Sequence, residues 1–250
     1  MKGAGMKNYK FVLEYDGSRY SGWQRLPGQN TIQGKLENVL GLMCGAGVEV
    51  TGAGRTDGGV HAKGMVANAW MDTELGCEEI RDYMNRYLPD DIAVREVREA
   101  SPRFHARYNA IGKTYCYTCH EGKVNPVFDR KYYTPLEESP DLERMREAAE
   151  ILKGRHDFRN FCANLRMKKS TVRDVDKIEI ERVDGYLYFT FHGTGFLQNM
   201  VRIMVGTLLE VGCGRMSAQQ VAEVLESPDR HKAGPTAPAQ GLCLMKVDYD

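Results

Sequence analysis

The stretch Thr51-Gly52-Ala53-Gly54-Arg55-Thr56-Asp57-Gly58-Gly59-Val60-His61-Ala62 restricts this chain more than any other, with four glycines crowded around one carboxylate and one guanidinium. Val48 to Thr51 before it and Val60 to Trp70 after it are rich in β-branched and apolar residues and are expected to be strands. Glycine adopts φ > 0 without strain and lets another backbone or a ligand come close. Asp57 is therefore expected on a tight, open loop between two strands, with Arg55 two residues upstream. Asp-Gly between two apolar runs is also the signal of an ordinary hairpin turn. Two phosphate-binding motifs are excluded. A dinucleotide fingerprint needs a glycine three residues after Gly54, where Asp57 stands and would repel a pyrophosphate. A P-loop fails because Leu36 follows Gly34-Lys35 and Gly28 lies one residue too far upstream.

The rest of the chain alternates between strand and helix patterns. Lys10 to Tyr15 is expected as a strand closed by Asp16-Gly17, and Tyr20 to Gln29 as a loop holding Trp23. A helix capped by Thr31 would bury Ile32, Leu36, Val39, Leu40 and Met43. Glu78 to Leu88 is expected to be a second helix, with Ile80, Met84, Tyr87 and Leu88 inward and Pro89 as its stop. Strands follow at Ile92 to Val97 and from Lys113, where Tyr115 and Tyr117 share a face. After a connector over residues 121 to 140, Ser139 and Pro140 are expected to open a third helix that Gly154 ends. Lys177 to His192 is expected to be a hairpin about Asp184-Gly185, and Phe196 to Val211 a largely apolar, buried helix. Ser217 and Gln220 form a capping box for the last helix, and Leu242 to Val247 is a closing strand. Strands paired in hairpins beside helices argue for an α+β chain with a mostly antiparallel sheet.

At 250 residues, with 42% hydrophobic and 27% charged residues, the chain can build a core as one large domain or two smaller ones. The most apolar stretch, Phe196 to Val211, is interrupted by Arg202, which argues against a membrane span. Met1 to Lys7 lacks an apolar signal core, so residence in the cytoplasm is expected. The seven cysteines show no disulfide framework, and Cys116 and Cys119, three apart on a strand, point to opposite faces, with no second CxxC to complete a zinc site. Net charge is zero, yet Lys153, Arg155, Arg159, Arg166, Lys168, Lys169, Arg173 and Lys177 outnumber the three aspartates among them. A neutral total can hide a basic face suited to phosphates, although a solvated surface is the plainer account of any such run.

Gly54-Arg55-Thr56-Asp57-Gly58-Gly59-Val60-His61-Ala62 resembles the signature of the tRNA pseudouridine synthase A family, with Gly58 standing where the family usually has alanine. Further matches run in order along nearly the whole chain. They include Tyr15-Asp16-Gly17, Gly22-Trp23-Gln24, Phe104-His105-Ala106-Arg107, Gly195-Phe196, Met200-Val201-Arg202 and Gly241-Leu242. The resemblance implies the pseudouridine synthase fold: a mostly antiparallel mixed sheet flanked by helices, in two similar halves joined around a central cleft. Residues 1–107 would carry the Asp57 loop, and residues 108–250 the Tyr115 strand and the Arg202 helix. It also implies a homodimer that isomerises uridine to pseudouridine at positions 38 to 40 of the tRNA anticodon stem-loop.

The implied reaction breaks the bond from ribose C1′ to N1 and joins C1′ to C5 of the same base. Nothing is oxidised and no group is imported, so neither a cofactor nor a metal is expected. By the resemblance Asp57 is the nucleophile, whether toward the sugar or the base. Arg202, alone on an apolar helix, must find a partner or emerge at an end; the resemblance pairs it with Asp57, where a guanidinium would favour the carboxylate. Tyr115 would pack against the target base, which must leave its stack to be reached. Arg55 would fill the vacated place or bind phosphate. Two readings from other classes stand beside this one. An RNA-binding module would make Asp57 dispensable. A nucleoside or glycoside hydrolase would need a second carboxylate, and none stands near the motif.

Overall fold

The structure is a computed structural model that describes residues 5–164, 166–226 and 233–250; residues 1 to 4, where the expected N-terminal half begins, lie outside the described residues. The chain divides into two compact units, Met1–Ile111 with Leu244–Asp250, and Gly112–Cys243.

In the first unit, β1 (Lys7–Tyr15) pairs antiparallel with both β3 (His61–Met71) and β4 (Ile92–Ala100), and β2 (Val50–Gly52) pairs antiparallel with β3. The alternation of β1 fixes its two faces: Tyr9, Phe11, Leu13 and Tyr15 are buried, while Lys10, Val12 and Glu14 are half-exposed. Helices α1 (Ile32–Cys44) and α2 (Cys77–Tyr87) supply Ile32, Leu36, Leu40, Ile80 and Met84 to the core. Thr31 caps α1 as expected, its hydroxyl accepting from Gly34 N at 3.3 Å. Three helix positions differ from expectation. Met43 is half-exposed, and Glu37 is buried in α1, bonded to Arg25, Gln33 and Val50 N. Tyr87 is exposed, because Ile80, Met84 and Leu88 already fill the inward stripe; its ring packs on Tyr83 at 4.6 Å.

In the second unit, β5 (Gly112–His120), β9 (Lys177–Val183) and β10 (Tyr186–Gly193) form an antiparallel set with β10 in the middle. The two-residue β6 (Thr134–Pro135) runs parallel to β5 and makes the sheet mixed. The turn between β9 and β10 has Asp184 at φ 49° and Gly185 at φ 80°, the double left-handed geometry of a tight hairpin. Helix α3 (Leu142–Leu152) is capped by Asp141 and not by Ser139. The Asp141 carboxylate accepts from Glu143 N and Arg144 N, two of the orphan donors of the first turn, while Ser139 bonds Glu121 instead. Helix α4 (Met200–Gly212) starts four residues later than the apolar run implies, because Asn199 takes a left-handed conformation at φ 58°. Ser217 and Gln220 form the reciprocal capping box of α5 (Ala218–Glu226). A small pair absent from the sequence reading, β7 (Gly154–Asp157) with β8 (Val172–Val175), folds the basic stretch back on itself. The closing strand β11 (Leu242–Asp248) lies where expected.

Strands in antiparallel sets with helices make this an α+β chain. All seven cysteines remain thiols; Cys119 is fully buried and Cys116, on the other face of β5, is half-buried. No helix among the described residues is long and apolar enough to cross a membrane.

Candidate active site

Asp57 stands on an eight-residue loop, 53–60, between β2 and β3, so Asp57-Gly58 is not the two-residue turn of a simple hairpin. The ladder closes below it, where Gly52 pairs with Ala67 and Ala53 N donates to Val66 O at 2.7 Å. A turn does occur within the loop. Val60 N donates to Asp57 O at 3.2 Å, with Gly59 at φ 80° in the position where a type II turn requires a positive φ.

The loop is held from both sides by the last residue of β1 and the segment that follows it. On the near side, the Tyr15 hydroxyl and Thr56 Oγ1 share a hydrogen bond of 2.8 Å, both residues being buried. Trp23 N donates to Thr56 O at 3.0 Å, and the Trp23 indole is buried against the Tyr15 ring. On the far side, Gly59 N donates to Tyr20 O at 3.3 Å, and Gly17 N donates to Nδ1 of the buried His61, which lies 3.2 Å from Asp16 Oδ1. The approach is so close that side chains are not tolerated. A Cβ on Gly17 would collide with Val60 O, and one on Gly22, already at φ 104°, would lie 2.7 Å from Thr56 O. These contacts give physical content to Tyr15-Asp16-Gly17 and Gly22-Trp23, whose roles were not apparent from the residues. Asp57 itself is half-buried and Arg55 is exposed beside it.

Arg202 and Tyr115 belong to the second unit. Because α4 begins at Met200, Arg202 occupies its first turn, where a cation opposes the helix dipole. Its guanidinium is clamped there: Nε donates to Ala237 O at 2.6 Å and Nη1 to Asn199 Oδ1 at 2.9 Å, while Ala237 N returns a bond to Arg202 O. Asn199 thus both terminates the preceding loop and orients the arginine. Tyr115 is buried on β5, with its ring edge-on to Phe196 at 5.3 Å. Its face-mate Tyr117 is sealed in the core. The Tyr117 hydroxyl contacts Thr134 Oγ1 and donates to Pro238 O, and burial pushes its pKa well above the usual tyrosine value.

In the basic stretch, Lys153, Arg159 and Lys177 are paired with Glu150, Asp157 and Glu179. Arg155, Arg166, Lys168 and Lys169 make no ion pair among the described residues. No group of three or more His, Cys, Asp or Glu among the described residues could hold a metal ion.

A carboxylate on a loop anchored at both flanks suits nucleophilic or general-base chemistry, which demands a fixed position. Comparison with known proteins narrows the class. The family model described as tRNA pseudouridine synthase matches residues 12–109 and 148–250. The tRNA pseudouridine synthase A of Bacillus sp. (strain KSM-64) is 46% identical over 98% of this chain and 100% of its own length. That of Clostridium kluyveri is 43% identical over 98% of this chain and 100% of its own. Among solved structures, a chain of a Cbf5–Nop10–Gar1 complex is similar with a TM-score of 0.39 and 13% identity, over 95% of this chain and 49% of that one. The chain belongs to the tRNA pseudouridine synthase family and is therefore an isomerase.

Proposed function

We propose that the chain converts uridine to pseudouridine at positions 38 to 40 of the tRNA anticodon stem-loop, with Asp57 as nucleophile. Family membership carries the coarser part, isomerisation of uridine in tRNA. Positions 38 to 40 rest on the resemblance alone, and the choice of Asp57 is supported by the anchoring of its loop, through Thr56 on one side and Gly59 and His61 on the other. In the reaction the C1′–N1 bond breaks, the base turns within the site, C5 bonds to C1′, and the C5 proton leaves as N1 gains one. Asp57 assists by forming a covalent bond that divides a difficult substitution into two steps. Arg202 supplies a fixed positive charge to the site, and Tyr115 an aromatic surface for the flipped base, with its hydroxyl as a proton handle. Arg55, exposed on the same loop as Asp57, reaches the RNA backbone or takes the place the base vacates. The chain acts in the cytoplasm as a homodimer.

The test is incubation with unmodified tRNA, followed by carbodiimide treatment and primer extension. Stops at positions 38 to 40, with RNA mass unchanged, are the expected result. Stops elsewhere would contradict the position, and released uracil would contradict isomerisation.

A further inference from the structure

Lys10 lies on the half-exposed face of β1. Its ammonium sits 4.4 Å from the Tyr249 ring centroid and 5.3 Å from that of Phe104, and among the described residues it makes no ion pair. It faces a cavity of about 420 Å³ that Arg98 and Arg103 also line. The cavity has acidic neighbours as well. Glu99 is engaged by Lys7 at 3.0 Å, Arg98 is paired with Glu96, and Asp250 is exposed. Arg103 makes no ion pair among the described residues. Burial, and secondarily the charge of Arg98, lower the Lys10 pKa.

We propose that this cavity binds a backbone phosphate of the RNA substrate, gripped by Lys10 and Arg103, at a distance from the reacting nucleotide. The inference rests on the proposed function, since it takes RNA as the ligand. Two features choose backbone over base. The local excess of cations suits a phosphate, and the ring faces that a base would stack on are already covered by the Lys10 ammonium. Lys10 lies five residues along β1 from Tyr15, about 17 Å in a strand, and Tyr15 holds the residue next to Asp57. The site would therefore add affinity without reading sequence and without touching the chemistry.

The experiment measures tRNA affinity from 50 to 200 mM salt for wild type, Lys10→Gln and Lys10→Arg, with kcat and KM for each. Each phosphate contact contributes about 0.7 to 0.9 to the log–log salt slope, so over this fourfold range wild type should lose about threefold more affinity than Lys10→Gln. The expected result is a shallower slope and raised KM in Lys10→Gln at unchanged kcat, with both restored in Lys10→Arg. An unchanged slope in Lys10→Gln overturns the site. So does protection of wild type from thermal unfolding by inorganic phosphate, lost in Lys10→Gln with the tRNA slope unaltered, which would make free phosphate the ligand. The parent reading fails separately, if wild type forms no pseudouridine.

Discussion

The hydrogen bond between Tyr15 and Thr56 should be worth more than its single contact implies, and Tyr15→Phe isolates it. The substitution keeps the ring that packs on Trp23 at 6.2 Å and deletes only the hydroxyl. Thr56 Oγ1, on a residue 5% exposed, then loses its partner at 2.8 Å with little water to replace it. Leaving a buried polar group unsatisfied costs about 1–3 kcal/mol. At about 2 kcal/mol the expected fall in Tm is about 4–8 °C for a chain of this size. Thr56→Val removes the other partner, and the double variant leaves neither stranded by the other, so its loss should be smaller than the sum of the two single losses. Urea denaturation of all four proteins measures that coupling, expected at about 1 kcal/mol or more. Single-turnover kinetics supplies the functional half. Thr56 is bonded directly to Asp57, and a misplacement of about 1 Å can cost about a hundredfold in rate, so kcat should fall with KM nearly unchanged. If the single losses simply add and kcat is normal, the bond neither stabilises the loop nor positions the carboxylate.

Gly58→Ala should be tolerated in activity and raise stability by about 0.4–1 kcal/mol, because φ at Gly58 is not left-handed and a Cβ there would lie at an ordinary 3.4 Å from Tyr20 O; lowered stability in urea denaturation would contradict this. Arg202→Leu should depress kcat more than tRNA affinity and leave residual activity that recovers as pH rises, since a carboxylate without a counter-charge holds its proton to higher pH; overlaid pH–rate profiles under single turnover would place Arg202 in a structural role alone. The same substitution should destabilise the chain by about 1–3 kcal/mol, because Ala237 O and Asn199 Oδ1 lose their donor.

What could be read from the residues was what local periodicity and turn chemistry control. The apolar stripe of α1 from Ile32 to Leu40, the hairpin at Asp184-Gly185 and the Ser217–Gln220 box each depend on neighbours within a few positions, and each formed where expected, Met43 alone falling outside the buried stripe. Boundaries set by a single backbone conformation were not legible. Nothing in Phe196-Leu197-Gln198-Asn199 announces that Asn199 turns left-handed, yet that one residue moves the start of α4 and puts Arg202 in the first turn instead of mid-helix. Ser139 and Asp141 are both good caps, and only the structure shows that the aspartate takes two amide protons. The supports of the Asp57 loop were hidden for a different reason: Tyr15, Gly17, Tyr20 and Trp23 lie some forty residues before their partners, and only tertiary folding brings them together. The resemblance marked several of these residues, and the geometry supplies the reason.

Whether Asp57 performs the chemistry or merely shapes its loop is decided by Asp57→Asn. Asparagine keeps the size and the turn tolerance of aspartate and removes the charge. Single-turnover conversion of tRNA, mapped by carbodiimide and primer extension beside a binding titration of the same protein, is the measurement. If Asp57 is the nucleophile, tRNA affinity stays close to wild type and no pseudouridine forms; pseudouridine at a near wild-type rate would rule that role out.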